Sequence, residues 1–207
     1  MRLELVNQMP ESAVVPTQYG DAQMSVFRCE KGVEHVCVVF GEVQGESEVL
    51  CRIHSACATG ELFGSLKCDC GQQLERALQE MQRVGQGVLI YMNQEGRGIG
   101  LANKLRAYAL QAQGADTVDA NRMLGLPDDV RTYGSAVEQL KRLGVRGVRL
   151  MSNNPLKLDA VRAGGIACDR ESHLVDVGPA ATAYLEAKQA RMGHLRENEN
   201  YPGLMVG

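Results

Sequence analysis

The sequence predicts an α/β fold: a mixed sheet with an antiparallel N-terminal meander, strand and helix alternating in the C-terminal half, and helices packed on the sheet. Three observations carry this expectation. Residues 13 to 53 run as short apolar or alternating segments broken by Gly20, Gly32, Gly41 and Gly45, the pattern of strands separated by turns. From about residue 72 to 168, apolar runs alternate with stretches of helical period, as in parallel strands joined by helical crossovers. A chain of 207 residues can bury one substantial core. Residues 1–195 are therefore expected as a single domain and 196–207, a polar segment with Gly and Pro, as a flexible tail.

The four N-terminal strands are AVVPTQYG, AQMSVFRCE, HVCVVFGEV and SEVLCRIHS. The last delivers Arg52, His54 and Ser55 to its end, beside RIHSACATGELFGSLKCDCG. In that stretch Cys57, Cys68 and Cys70 form a C-x10-C-x-C pattern with polar and small residues between them. Zinc binds thiolates at about 2.3 Å and prefers four tetrahedral ligands, so three sulfurs leave one position for another side chain or a water. His54 is the nearby histidine that could close such a site. Cys29, Cys37 and Cys51 sit in β-type runs and Cys168 lies beyond a Gly-Gly turn; these read as packing residues.

Next, GQQLERALQEMQRVGQG places Leu74, Leu78 and Met81 at helical spacing, with Gly85 where a C-cap falls. GVLIYMNQ reads as a buried strand, followed by EGRGIG and a second helix, LANKLRAYALQAQ. A strand, a glycine-rich loop and a helix gather unpaired N–H groups that favour phosphate, with Arg97 and Lys104 adding charge; neither the Rossmann fingerprint nor the P-loop pattern is matched. GADTVDANRMLGLPDDVRTYG reads as a long polar loop carrying Asp129 and Arg131, and long loops are disproportionately functional. SAVEQLKRLGV is helical, GVRLMS a strand, and NNPLKLDAVRAGG a helix opened by Asn154 and Pro155. Lys157 on its first turn stands near any anion bound there. GPAATAYLEAKQARMGHL reads as a last helix stopped by Gly193.

Net charge of -3 without a basic tract argues against DNA or RNA as a partner. No apolar stretch approaches the roughly 20 residues of a membrane span. Seven cysteines beside an N-terminus without signal-peptide features fit a reducing, cytoplasmic location.

Taken together, RIHSACATGELFGSLKCDCGQQL, QEGRGIGLANKLRAYALQ, DTVDAN, LMSNNPLK and MGHL resemble the GTP cyclohydrolase II family, from about Val49 to Leu195. The resemblance implies one Zn2+ per chain on Cys57, Cys68 and Cys70, Mg2+ arriving with the substrate triphosphate, and a homodimer. It implies hydrolysis of GTP that opens the guanine imidazole ring and releases formate and pyrophosphate, the first step of riboflavin biosynthesis. Tyr108 corresponds to a tyrosine needed for the ring chemistry, Asp129 to a proton acceptor, and Arg131 to a proposed nucleophile toward the α-phosphate. Substrate-binding positions fall on Arg52, His54, Ser55, Gln73, Glu95, Gly96, Arg97, Thr117, Ser152 and Lys157. Arginine stays protonated and is a poor nucleophile, so an electrostatic clamp is the milder role for Arg131.

Some positions depart from the family pattern. Ala56 stands where Glu is usual, Asn93 where Arg is usual, Ser152 where Thr is usual, and RESHLVDVG replaces a proline-containing stretch. Ala56 and Asn93 leave one alternative beside the full reaction, a paralogue with a formylated product or another nucleotide substrate; an alternative of another class is a noncatalytic zinc-containing nucleotide-binding protein, which predicts a closed fourth ligand and no turnover.

Overall fold

Seven strands form one mixed sheet in the computed structural model, which describes residues 11–115, 117–175, 190 and 193–195. Strands β1 (Ser12–Thr17), β2 (Gly20–Arg28) and β3 (Glu34–Phe40) make an antiparallel meander. Strands β4 (Val49–Ser55), β5 (Gly87–Met92), β6 (Gly147–Met151) and β7 (Ala167–Glu171) complete the order β1-β2-β3-β5-β4-β6-β7. β5 lies antiparallel to β3 and parallel to β4, and β6 and β7 continue the parallel half.

The meander therefore has three strands, and the fourth segment expected in it leaves to pair with β5 and β6. Burial explains the exchange. β4 is buried at every position except Ser55, and β5 at every position except Tyr91. Strands covered on both faces belong in the parallel centre of a sheet, whereas a meander strand keeps one face toward water.

The helices are α1 (Ala58–Glu61), α2 (Cys70–Val84), α3 (Leu101–Gln111), α4 (Thr117–Met123), α5 (Gly134–Arg142) and α6 (Pro155–Ala163). α2 ends at Gly85, whose φ of 76° places it in the left-handed region that a C-cap glycine favours. α6 opens on Asn154, whose side chain accepts from Leu156 N at 3.0 Å, with Pro155 in the first turn. α4 was expected as loop. Among its described side chains Ala120 and Asn121 are buried, and TVDANRM carries no apolar stripe to announce it. The expected last helix lies mostly, and the C-terminal tail wholly, outside the described residues.

Strand alternation divides the core into two layers. Cys37, Val39, Cys51, Ile53, Val88 and Ile90 join residues of α5 and α6 on one face. Val38, Phe40, Leu50 and Leu89 meet Ala77 and Met81 of α2 on the other. In β4, Leu50, Arg52 and His54 share a strand face by this alternation, so the register that packs Leu50 under α2 also carries Arg52 and His54 to the α2 side.

Candidate metal centre

The four parallel strands all end at one edge of the sheet, and the segments that leave their carboxyl ends build the site, the usual location in open α/β sheets. β4 runs into α1, which turns the chain so that Cys57 meets Cys68 and Cys70 at the start of α2. The three sulfur atoms lie within 4.8 Å of one another, and Cys57 Sγ is 3.6 Å from Cys68 Sγ. Tetrahedral thiolates around zinc at about 2.3 Å would stand roughly 3.8 Å apart, so the donor set fits such an ion. His54 does not join the group, and among the described residues the cluster offers three ligands, one fewer than zinc's usual four. Gly60 permits this approach: a Cβ there would stand 2.8 Å from Cys68 Sγ and 3.3 Å from Cys57 Sγ.

Cys57 is held at both backbone and sulfur. Its N–H donates to Glu61 Oε1 at 2.7 Å, and the next amide, Ala58 N–H, donates to Glu95 Oε2 at 2.6 Å. Lys104 Nζ donates to the Cys57 sulfur at 3.0 Å and to Glu95 Oε1 at 2.8 Å. The neighbouring Cys68 and Cys70 thiols, then Lys104, hold Cys57 well below the ordinary thiol range, against the opposing effect of burial. The Lys104 ammonium against its sulfur favours the thiolate form at Cys57, the form a metal requires.

Glu61 is a hub that the sequence reading did not single out. It accepts from Cys57 N–H, pairs with His54 Nε2 at 2.9 Å, and accepts from the Tyr91 hydroxyl at 2.5 Å. Burial lowers His54 to about 4, so the ring is neutral and donates through Nε2 to the carboxylate. Tyr91 stacks on it with ring centroids 5.8 Å apart. The signal for Glu61 was its place inside the cysteine loop; Tyr91 carried none.

Beside this lies a buried cationic group. Arg52 donates to Met151 O at 2.7 Å and to Gln73 Oε1 at 2.5 Å, and Gln73 donates to Asp69 Oδ2 at 2.5 Å. Burial lowers Arg52 to about 10, still charged near neutrality. Lys157 Nζ donates to Ile53 O at 2.8 Å, and Ser152 Oγ accepts from Asn154 N at 3.1 Å. The buried Ser55 hydroxyl has no partner among the described residues. His173, fully buried in the segment after β7, reaches Gln73 O at 2.8 Å.

Following β5, Glu95–Gly98 form a 3-10 turn in which Gly96 and Arg97 both have φ of 60°. A non-glycine residue in that region is uncommon and concentrates at functional turns. Val130 N–H donates to Arg97 O at 3.1 Å, so the 128–131 segment packs on this turn. Asp129 and Arg131 close on each other through three side-chain bonds of 2.5 to 3.1 Å. Burial raises the Asp129 carboxyl, but Arg131 outweighs it and the net shift is downward. Tyr108 faces the cysteine loop, with Lys67 and Lys104 ammonium groups 5.2 and 5.9 Å from its ring centroid; burial raises its phenol. Thr117 opens α4. Glu95, expected to bind substrate, spends its oxygens on Ala58, Gly96 and Lys104, and Lys104, expected near phosphate, sits on sulfur.

Ala56 N–H donates to Met92 O at 2.8 Å, in line with the pairing of Ser55 and Met92. Residues 56 and 93 therefore leave neighbouring strand ends. The carboxylate and guanidinium that the resemblance led one to expect are missing from one place, and opposite charges lost together leave the local balance unchanged.

Comparison with known proteins agrees with this arrangement. A family model described as GTP cyclohydrolase II matches residues 8–172. The GTP cyclohydrolase-2 of Acinetobacter baylyi is 49% identical over 190 residues, covering 90% of this chain and 95% of that protein. That of Enterobacter sp. is 48% identical over 185 residues, covering 88% and 94%. The riboflavin biosynthesis protein RibBA of Parabacteroides distasonis is 41% identical over 200 residues, covering 96% of this chain and 49% of the relative. The chain spans about half the length of the RibBA relatives.

Proposed function

Since the chain belongs to the GTP cyclohydrolase II family, we propose that it is an enzyme that hydrolyses GTP in riboflavin biosynthesis. The products are formate, pyrophosphate and 2,5-diamino-6-(5-phosphoribosylamino)pyrimidin-4(3H)-one. The observation that carries this reading is the three-sulfur cluster at the carboxyl ends of the parallel strands. Zn2+ held by Cys57, Cys68 and Cys70 would supply a Lewis acid that makes water nucleophilic near neutral pH.

The side chains around it divide the remaining work. Arg52, Arg97 and Lys157 bring positive charge toward the triphosphate, which would enter with Mg2+. Tyr108, its phenol raised by burial, keeps its proton and orients the ring or the water by donating. Asp129 can accept a proton only after its pair with Arg131 opens, because the guanidinium holds the carboxylate ionised and occupied. Substrate phosphate competing for Arg131 would release Asp129, coupling phosphate binding to base availability. Arg131 acts here as a clamp on the phosphates. His54, Ser55, Gln73, Gly96, Thr117 and Ser152 complete the substrate contacts in this reading, and Glu95 serves through the loop it holds.

No described helix is long and apolar enough to cross a membrane; we place the protein in the cytoplasm, as a homodimer of the single domain. Exposed Leu62, Phe63 and Leu66 offer apolar surface for association. The test is incubation of zinc-loaded protein with GTP and Mg2+, with products identified by mass spectrometry. Equimolar formate and pyrophosphate with the deformylated pyrimidine are expected. A formylated pyrimidine would assign the paralogue reaction, and bound zinc without turnover the noncatalytic role.

A further inference from the structure

Lys104 is the fourth residue of α3, 47 positions from Cys57 in sequence, and its location follows from the fold. β5 lies beside β4, so the turn after β5 and the helix that it starts come down on the loop after β4. The side chains of Lys104 and Glu95 are only 12% and 13% exposed. The ammonium stands between the Cys57 sulfur at 3.0 Å and Glu95 Oε1 at 2.8 Å. Glu95 is itself fixed by Ala58 N–H and Gly96 N–H. A phosphate-binding lysine would be poorly served by this arrangement, because the carboxylate and the sulfur already claim it.

We propose that Lys104 is a positioning residue of the metal centre, whose ammonium, anchored by Glu95, donates to the Cys57 thiolate and draws electron density from that one ligand. The inference rests on the metal reading of the cysteine cluster. A thiolate that accepts a charged N–H bond gives less charge to a bound divalent cation, which then remains a stronger Lewis acid. Partners beyond the ligands tune metal sites in this way, and the low exposure strengthens the bond. The Lys104–Glu95 pair, through the Ala58 amide that Glu95 also holds, ties α3 to α1 and so fixes Tyr108, on the same helix as Lys104, relative to Cys57.

The test loads Co2+ into the unsubstituted protein and into Lys104→Met, Lys104→Arg and Lys104→Gln, and records the thiolate-to-cobalt charge-transfer band. With zinc loaded, kcat and KM for GTP are then compared. Losing the N–H···S bond raises the sulfur lone pairs in energy, so the band of Lys104→Met moves to longer wavelength and Lys104→Arg moves it back. Lys104→Gln gives a smaller shift in the same direction and serves where the methionine variant does not fold. Formate release falls about 10- to 100-fold in kcat for Lys104→Met, with KM changed by less. A band that stays in place in both neutral variants, or a loss confined to KM, overturns the inference and returns Lys104 to the phosphates. Absence of any such band in the unsubstituted protein overturns the metal reading as well.

Discussion

Cys57, Cys68 and Cys70 at the sheet edge, and Cys37, Cys51 and Cys168 in its core, show one residue type under opposite physical control. In the core, burial pushes the Cys37 and Cys168 thiols up to about 11 and raises Cys51 as well. These side chains behave as small hydrophobes packed with Val, Ile and Leu. At the edge, Cys57 and Cys68 are also buried, yet mutual thiol contact and Lys104 favour the thiolate at Cys57. Burial therefore does not decide cysteine chemistry. The donors that face the sulfur do.

The sharpest way to break this contrast is to exchange the outcomes by mutation. Cys57→Ser should abolish metal retention and bring formate release to background while circular dichroism stays unchanged. Cys51→Ala should keep activity and lower stability by about 1 to 2 kcal/mol in denaturant unfolding. Loss of activity in both would erase the distinction.

Alkylation probes the same contrast without mutation. In metal-free protein near neutral pH, iodoacetamide should modify Cys57 at least about a thousandfold faster than Cys37, Cys51 or Cys168 under native conditions, since the thiolate is the nucleophile. Peptide mapping by mass spectrometry reads the order.

A second pair of loops extends the comparison: the side chains Glu95 and Lys104 clamp the cysteine loop from other elements, whereas in the 128–131 loop, seated on the Arg97 turn through its backbone, Asp129 and Arg131 bond each other. Arg131→Met should reduce kcat/KM by about 10²- to 10³-fold. Arg131→Lys, which keeps charge without the fork, should lose about tenfold. Complete inactivity of the lysine variant would favour a covalent role for Arg131.

A last test, away from the sulfurs, concerns the buried imidazoles. His54 is lowered to about 4 and His173 to about 2, burial being the main cause in each. The unfolded chain takes up these protons near pH 6.5 and the folded protein refuses them, so stability is full above that pH and lost as pH falls. The window runs from about 6.5 to 4 for His54 and continues toward 2 for His173, at about 1.4 kcal/mol per pH unit for each group. His173→Gln should flatten the slope of stability against pH below 6.5, measured by urea unfolding.

Those parts of the molecule that local chemistry determines were legible in the sequence. The C-cap at Gly85, the opening of α6 at Asn154 and Pro155, and the cysteine spacing all declare themselves within a few residues. Strand order did not, because β4 leaves the meander only when the burial of both its faces is known. α4 escaped because TVDANRM has no apolar stripe. The supports of Cys57 were equally hidden: Glu95 holds the next amide, Ala58, across 37 residues and Lys104 reaches the Cys57 sulfur across 47, and only the adjacency of β4 and β5 brings them together.

The most direct test of the account is a zinc titration of metal-free protein with GTP and Mg2+ in excess, following formate release. Turnover should rise linearly to one zinc per chain and then level, and fail to rise in Cys57→Ser. Full formate release from the metal-free protein, or an undiminished titration in Cys57→Ser, would contradict the assignment of Cys57, Cys68 and Cys70 as the centre of the chemistry.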